Sequence, residues 1–308
     1  MQTIVVTGGT GLVGRVLCKT LEKRGYQIIV LTRKAGRSPN GNIRYAHWDV
    51  KKQTIDIGAI QSADFIVHLA GAGVVDKKWT KKYKEEIVES RTQSSRLLVN
   101  TLKTVPHQLK AIIGASAIGW YGADATPPKE FIETATPSSD FLGETCRLWE
   151  ESIDKAKELN IRVCKIRTGI VLSNEGGALT EFKKPIKVGI AGILASGKQM
   201  ISWIHIDDLC RIFIQAIENE SMNGSYNAVA PGPVNNKTLT LTLAKSIRGK
   251  FFIPLHVPSF ILKLLLGGRS IEILKSTTVS CEKIKKTGFL FLFPTIEAAI
   301  KQLTTFKL

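Results

Sequence analysis

A β-branched run, Thr3-Ile4-Val5-Val6-Thr7, leads directly into Gly8-Gly9-Thr10-Gly11-Leu12-Val13-Gly14, and Leu12 to Arg24 then carries apolar residues at Val13, Val16, Leu17 and Leu21. Strand, glycine loop and helix in that order constrain the fold more than any other feature of the chain. Gly8 lets the backbone turn sharply off the strand, Gly11 admits a pyrophosphate without a Cβ in the way, and Gly14 lets the helix pack on the strand. The helix N-terminus presents N–H groups and a positive dipole end to an anion. Gly8, Thr10, Gly11, Leu12 and Val13 are therefore read as dinucleotide contacts. A glycine-rich turn without a ligand is the plainer alternative.

The same alternation continues. Gln27–Leu31, Ile43–Trp48, Asp64–Ala70, Ala111–Ala115 and Ile161–Leu172 read as buried strands, with long helices at about Thr80–Lys103 and Ser139–Leu159. Continuous apolar strands separated by helices predict an α/β fold, a Rossmann doubly wound parallel sheet. After residue 172 the pattern weakens. Trp203-Ile204-His205-Ile206-Asp207-Asp208 introduces one clear helix, with an aspartate expected as its cap. The expected organisation is an NADP-binding domain of residues 1–172 with about 201–222, and a smaller C-terminal substrate lobe of 173–200 and 223–308.

The end of the second strand selects the cofactor. NAD binders place a carboxylate there for the ribose hydroxyls. This chain has Leu31-Thr32-Arg33-Lys34, then Arg37, and no Asp or Glu between Gln27 and Ala46. Thr32 and Arg33 suit a 2′-phosphate through a charge-assisted, bidentate contact. NADP is expected over NAD.

Composition bounds the remaining classes. The net charge of +17 raises nucleic-acid binding, yet the basic residues are dispersed, without a run of five or interleaved aromatics, and no nucleic-acid partner is expected. The longest apolar stretch, Phe251–Leu266, is broken by Pro254, His256, Pro258 and Lys263. It is too short to span a bilayer, so it reads as a loop and a short amphipathic helix and no membrane partner is expected. Five scattered cysteines and the absence of a secretory leader point to the cytoplasm. No histidine or cysteine pair has metal-ligand spacing, so no metal is expected. Monomer and homodimer both remain open.

The motifs together resemble the extended short-chain dehydrogenase/reductase superfamily: Thr7 to Gly14, His68-Leu69-Ala70-Gly71, Ser116 through Tyr121-Gly122, Arg167-Thr168-Gly169 and Trp203-Ile204-His205. A glycine-rich insert (Gly176-Gly177) and Gly288-Phe289-Leu290-Phe291-Leu292-Phe293-Pro294 make the chain similar to the atypical NAD(P)-dependent epimerase-like subgroup with an extra C-terminal region. That resemblance implies that Leu69, Ala70 and Gly71 line the ribose and phosphate path and that Val171 lies near the nicotinamide. Asp49 lies near the adenine or serves as a cap. Glu86 and Arg91 match cofactor-touching positions, or belong to a solvated charged face. His205 and Asp208 are expected to join the two lobes, and His68 to be a core histidine.

The superfamily's chemistry pairs a tyrosine with a lysine four residues later, one helical turn apart. None of Tyr26, Tyr45, Tyr83, Tyr121 and Tyr226 has that lysine, and the corresponding positions read Phe141 or Leu142 and Thr145 or Cys146. Ser116 and Tyr121 are the candidate catalytic contacts to a substrate oxygen, with Glu144 a further acid. The plainer alternative for Tyr121 is a structural loop aromatic. The sequence supports an NADP-binding oxidoreductase or epimerase-like protein acting on a small carbonyl or hydroxyl compound of unknown identity, and alternatively a non-catalytic NADP-binding sensor or interaction protein.

Overall fold

The computed structural model describes residues 1–33, 41–126 and 129–305. The first half runs β1 (Thr3–Thr7), α1 (Leu12–Lys23), β2 (Gln27–Thr32), β3 (Ile43–Asp49), β4 (Thr54–Ile55), α2 (Ile57–Gln61), β5 (Phe65–His68), α3 (Lys81–Thr104), β6 (Ala111–Ala117) and α4 (Phe141–Asp154). The second half begins with β7 (Arg162–Thr168), β8 (Ile170–Leu172), α5 (Ala178–Lys187), β9 (Ile190–Leu194), β10 (Met200–Ile201), β11 (Trp203–His205), α6 (Ile206–Glu218) and β12 (Gly224–Ala228). It ends with β13 (Val234–Asn235), α7 (Asn236–Arg248), β14 (Ile253–Val257), α8 (Ser259–Leu266), α9 (Ser270–Leu274), α10 (Glu282–Lys285) and α11 (Ile296–Thr305).

An eight-stranded sheet in the order β12-β7-β6-β5-β1-β2-β3-β4 forms the frame, parallel except for the β3–β4 hairpin. β1 lies between β2 and β5, so successive crossovers leave it in opposite directions and open a crevice at the carboxyl ends of β1 and β5. The two-residue period of a strand separates two cores. Ile4 and Val6 face one cluster with Leu17 and Leu21 of α1 and Leu209 and Phe213 of α6. Val5 faces another with Leu98 and Leu102 of α3. The doubly wound parallel sheet is the one that the apolar runs imply.

A third cluster joins Leu172, Leu179, Ile186 and Trp203 to Leu239, Leu243, Ile296 and Ile300. The expected lobe boundary at 223 falls before β12, which pairs in parallel with β7 in the large sheet. Val279, Cys281, Ile284 and Phe289 likewise pack into the first cluster. Three local readings are corrected. Ile161–Leu172 is two strands, because the chain leaves the sheet at Gly169, where a Cβ would lie 2.6 Å from the Ser202 carbonyl, and β8 pairs with β11 instead. The cap of α6 is His205, whose Nδ1 accepts from the Asp207 N–H at 3.1 Å, rather than an aspartate. In the apolar stretch 251–266 the expected loop is β14, paired with β9, and the expected helix is α8.

Candidate functional site

Gly8 takes φ +69, and a Cβ there would stand 2.8 Å from the Leu69 carbonyl carbon. Gly8 O accepts from the Gly11 N–H at 3.0 Å, which closes the loop below α1. A Cβ on Gly14 would collide with Gly8 O, so the helix can reach the strand only without one. Gly11 caps α1 without a side-chain hydrogen bond, and Thr10 and Gly11 are exposed. This arrangement fits a pyrophosphate: an uncapped helix start, reachable amides and no Cβ in the approach. Leu12 and Val13 are partly buried beside it.

The crevice is held by one polar tie. Thr7 Oγ1 accepts from the Leu69 and Ala70 N–H groups at 3.1 and 3.2 Å, so its own proton goes to His68 Nδ1 at 2.7 Å. The imidazole therefore carries its proton on Nε2, which reaches Ser95 Oγ at 3.1 Å. Burial pushes the His68 imidazole down to about 3, so it is neutral and structural, as the sequence reading expected. Arg91 lies against Gly71, donates to the Ala72 and Ile87 carbonyls at 3.0 and 2.9 Å, and covers the Trp149 ring at 4.8 Å. Glu86 is exposed and pairs with Lys77 at 3.3 Å. Thr32 ends β2 just past Leu31, the partner of Thr7 in the β1–β2 pairing, and the exposed Arg33 follows it. Lys34 and Arg37 lie outside the described residues.

The glycine insert meets the same loop. Gly177, at φ +76, packs so that a Cβ would lie 3.2 Å from Leu12 Cδ2, and Glu175 pairs with Arg15 at 3.6 Å. Val171, half-buried in β8, leads into that segment. Asp49 Oδ1 accepts from the N–H groups of Lys51 and Lys52 at 2.9 and 3.1 Å in the turn between β3 and β4, so it caps no helix; Asp56 caps the helix that follows.

Ser116 and Tyr121 stand at the carboxyl ends of the strands but inside a buried ionic network. Glu150 of α4 binds Arg167 of β7 in bidentate fashion, at 2.8 and 3.0 Å. Burial works to raise the Glu150 carboxyl, yet Arg167, Lys165 and the Ser116 hydroxyl hold it below its ordinary value. Ser116 Oγ donates to Glu150 at 2.7 Å, and Ser225 Oγ donates at 3.0 Å. Tyr121 OH donates to Asn227 Oδ1 at 2.6 Å and accepts from Arg167 at 3.1 Å. Ser116 is 3% and Tyr121 4% exposed. Burial pushes the Tyr121 phenol up to about 12 against the pull of Arg167. Both hydroxyls, expected to face a substrate oxygen, spend their protons within the protein.

The helix that would carry tyrosine and lysine offers no substitute pair. Phe141 packs edge-on to Trp79 at 4.9 Å, and Thr145 Oγ1 turns back to the Phe141 carbonyl at 2.6 Å. Cys146 is buried, and burial raises its thiol to about 12. Glu144 is exposed and paired with Arg147, whose hydrogen bonds hold the carboxyl low, so it is a surface acid rather than a proton donor in the crevice. His205 and Asp208 bind the C-terminal segment: His205 Nε2 reaches Gln302 Oε1 at 2.9 Å, and the Asp208 carboxylate accepts from Leu292 and Phe293 N–H, both at 2.9 Å. Among the described residues no group of three or more His, Cys, Asp or Glu could hold a metal ion, and no helix is long and apolar enough to cross a membrane.

The Glu150–Arg167 network escaped the sequence reading. Its signal was present: Lys165 and Arg167 alternate with Cys164 and Ile166 in a strand flanked on both sides, where a charge requires a buried partner.

Comparison with known proteins places this geometry among relatives. Residues 4–229 match the model described as the NAD dependent epimerase/dehydratase family, and residues 257–303 match a domain of unknown function, DUF1731. Epimerase family protein SAR0825 of Staphylococcus aureus is 35% identical over 303 residues, covering 98% of this chain and 99% of the relative. The crystal structure of human epimerase family protein SDR39U1 with NADPH superposes with TM-score 0.86 at 27% identity, over 99% of this chain and 100% of that one. A nucleoside-diphosphate sugar epimerase from Corynebacterium glutamicum matches with TM-score 0.77 at 31% identity, over 99% of this chain and 58% of that one.

Proposed function

The chain belongs to the NAD-dependent epimerase/dehydratase family, and from that premise we propose that it binds NADP(H) and acts as an oxidoreductase or epimerase-like enzyme on a small carbonyl or hydroxyl compound. One observation carries the cofactor choice: the exposed Arg33 directly follows β2, the strand paired with β1 ahead of the glycine loop, in a stretch without a carboxylate from Gln27 to Ala46. A bound dinucleotide would supply hydride to a carbonyl carbon or take it from a carbinol. The amides from Gly8 to Val13 hold the pyrophosphate, Thr32 and Arg33 the 2′-phosphate, and Leu69, Ala70 and Gly71 line the ribose path. Arg91 braces that wall from behind through the Ala72 carbonyl. Glu86 stays a candidate at the rim, and Val171 a candidate beside the nicotinamide.

Ser116 and Tyr121 take the part of positioning residues in this proposal. They fix Glu150, Arg167 and Asn227, and so the wall behind the reacting atoms. NADPH-fluorescence titration against NADH, followed by NADPH oxidation with a panel of carbonyl compounds, tests the proposal. Tighter binding of NADPH with turnover of some member of the panel supports it. Equal affinity for NADH overturns the cofactor choice.

A second reading, a cofactor-binding protein without turnover, is favoured by Phe141 and Thr145 standing where a proton-transfer pair would be. Tight NADPH binding with no oxidation across the panel would establish it. Tyr121→Phe refines the enzymatic reading: a role in positioning leaves turnover within about twofold, whereas proton transfer lowers it at least about tenfold.

A further inference from the structure

Beyond the crevice, the smaller lobe carries an apolar surface that the proposed chemistry leaves without a role. Side chains two apart share one face of a strand, and in the parallel β9–β14 pair Ile190 stands opposite Ile253. Ile190, Ile253 and Leu255 therefore share a face, and Val188 and Phe251 precede it at the same spacing; all five are exposed, Phe251 by 82%. The chain then turns through Pro258 into α8, where Phe260 and Leu264, one turn apart, are 68% and 80% exposed and Leu265 is exposed beside them. Leu262 alone of the helix is buried. So large a display of Phe, Leu and Ile on a soluble surface marks a place where something else removes it from water.

Charge says what that is. The surface is built from two chain segments, and neither contains a carboxylate: there is no Asp or Glu between Glu181 and Asp207, nor between Glu220 and Glu272. Lys187, Arg248, Lys250 and Lys263 rise among the exposed apolar groups. A second copy of this chain would set the same carboxylate-free face against itself, cation against cation. A nucleic acid would meet the cations but leave the Phe and Leu side chains without an apolar environment. An anionic bilayer satisfies both, with acyl chains under the apolar groups and headgroup phosphates around the lysines. The stretch 251–266 is too short to span a membrane, but lying on one demands no such length.

We propose that β14 and α8 dock this protein on an anionic lipid surface. Co-sedimentation of the full chain with vesicles of phosphatidylcholine, with and without phosphatidylglycerol, tests it. Pelleting with the anionic vesicles alone, weakened by added salt, is expected. Leu264→Asp and Phe260→Asp should each lower the partition at least about tenfold. Lys250→Gln and Lys263→Gln should each lower it about fivefold. All four side chains are exposed, so the variants should keep the parent's thermal unfolding midpoint. The proposal is overturned if the chain does not pellet with anionic vesicles, or if Leu264→Asp pellets like the parent. It is also overturned if duplex DNA binds instead and is indifferent to Leu264→Asp, or if sedimentation velocity finds a homodimer that Leu264→Asp dissociates while vesicle binding is absent.

Discussion

Reversing the charge at Arg33 probes a single guanidinium against a single phosphate. A charge-assisted contact of this kind is worth about 1.5–3 kcal/mol, so Arg33→Glu should weaken NADPH at least about tenfold and leave NADH nearly unchanged by fluorescence titration. His68 makes a different residue-scale prediction. Its imidazole titrates near 6.5 in the unfolded chain, while burial pushes it down to about 3 in the folded one. The folded state is therefore favoured fully above pH 6.5, and the advantage is lost as pH falls from 6.5 toward 3, because only the unfolded chain takes up the proton. Denaturant titrations should show the parent losing about 1.4 kcal/mol more than His68→Asn between pH 7.5 and 5.5. An equal loss in both proteins would refute the assignment. The lone central histidine was legible from its apolar strand. Its tautomer was not, because that follows from Thr7 Oγ1 accepting two amides at once.

Elements meet at Glu150, where α4, β6, β7 and β12 share one carboxylate through Ser116, Lys165, Arg167 and Ser225. Removing Arg167 strips the buried Glu150 of its bidentate partner and leaves only Lys165, 3.5 Å away and shared with Asp154, so Arg167→Leu should lower unfolding free energy by about 3 kcal/mol in urea. The double variant Arg167→Met with Glu150→Leu should recover most of that loss, because no orphan charge remains. Gly8→Ala is an element-scale change too: it adds a Cβ 2.8 Å from the Leu69 carbonyl carbon at φ +69, at the junction of β1, α1 and β5. It should reduce NADPH binding and stability together. The strand–loop–helix start, the sheet and both long helices were readable, because apolar runs and glycines are local signals. The placement of Ser116 and Tyr121 was not. Their partners Glu150 and Asn227 lie 34 and 106 residues away in sequence, and only the folded sheet brings them together.

At the scale of the whole molecule, ligand binding and stability are linked. NADPH at a hundred times its dissociation constant should add about 2.7 kcal/mol, a rise of several degrees in the unfolding midpoint, and a tenfold loss of affinity in Arg33→Glu cuts that to about 1.4 kcal/mol. The C-terminal segment matters in another way. Val279, Ile284 and Phe289 complete the core under α6, and the Asp208 carboxylate holds the Leu292 and Phe293 amides. During synthesis this core therefore stays incomplete until residues 279–289, made well after the last strand of the large sheet, have emerged. Until they emerge, the cluster that holds Phe213, Ile217 and Tyr226 lacks part of its lining, and the nascent chain presents an apolar seam beside its largest sheet. A ribosome stalled before residue 279 holds a chain whose first core is unfinished and exposed to aggregation.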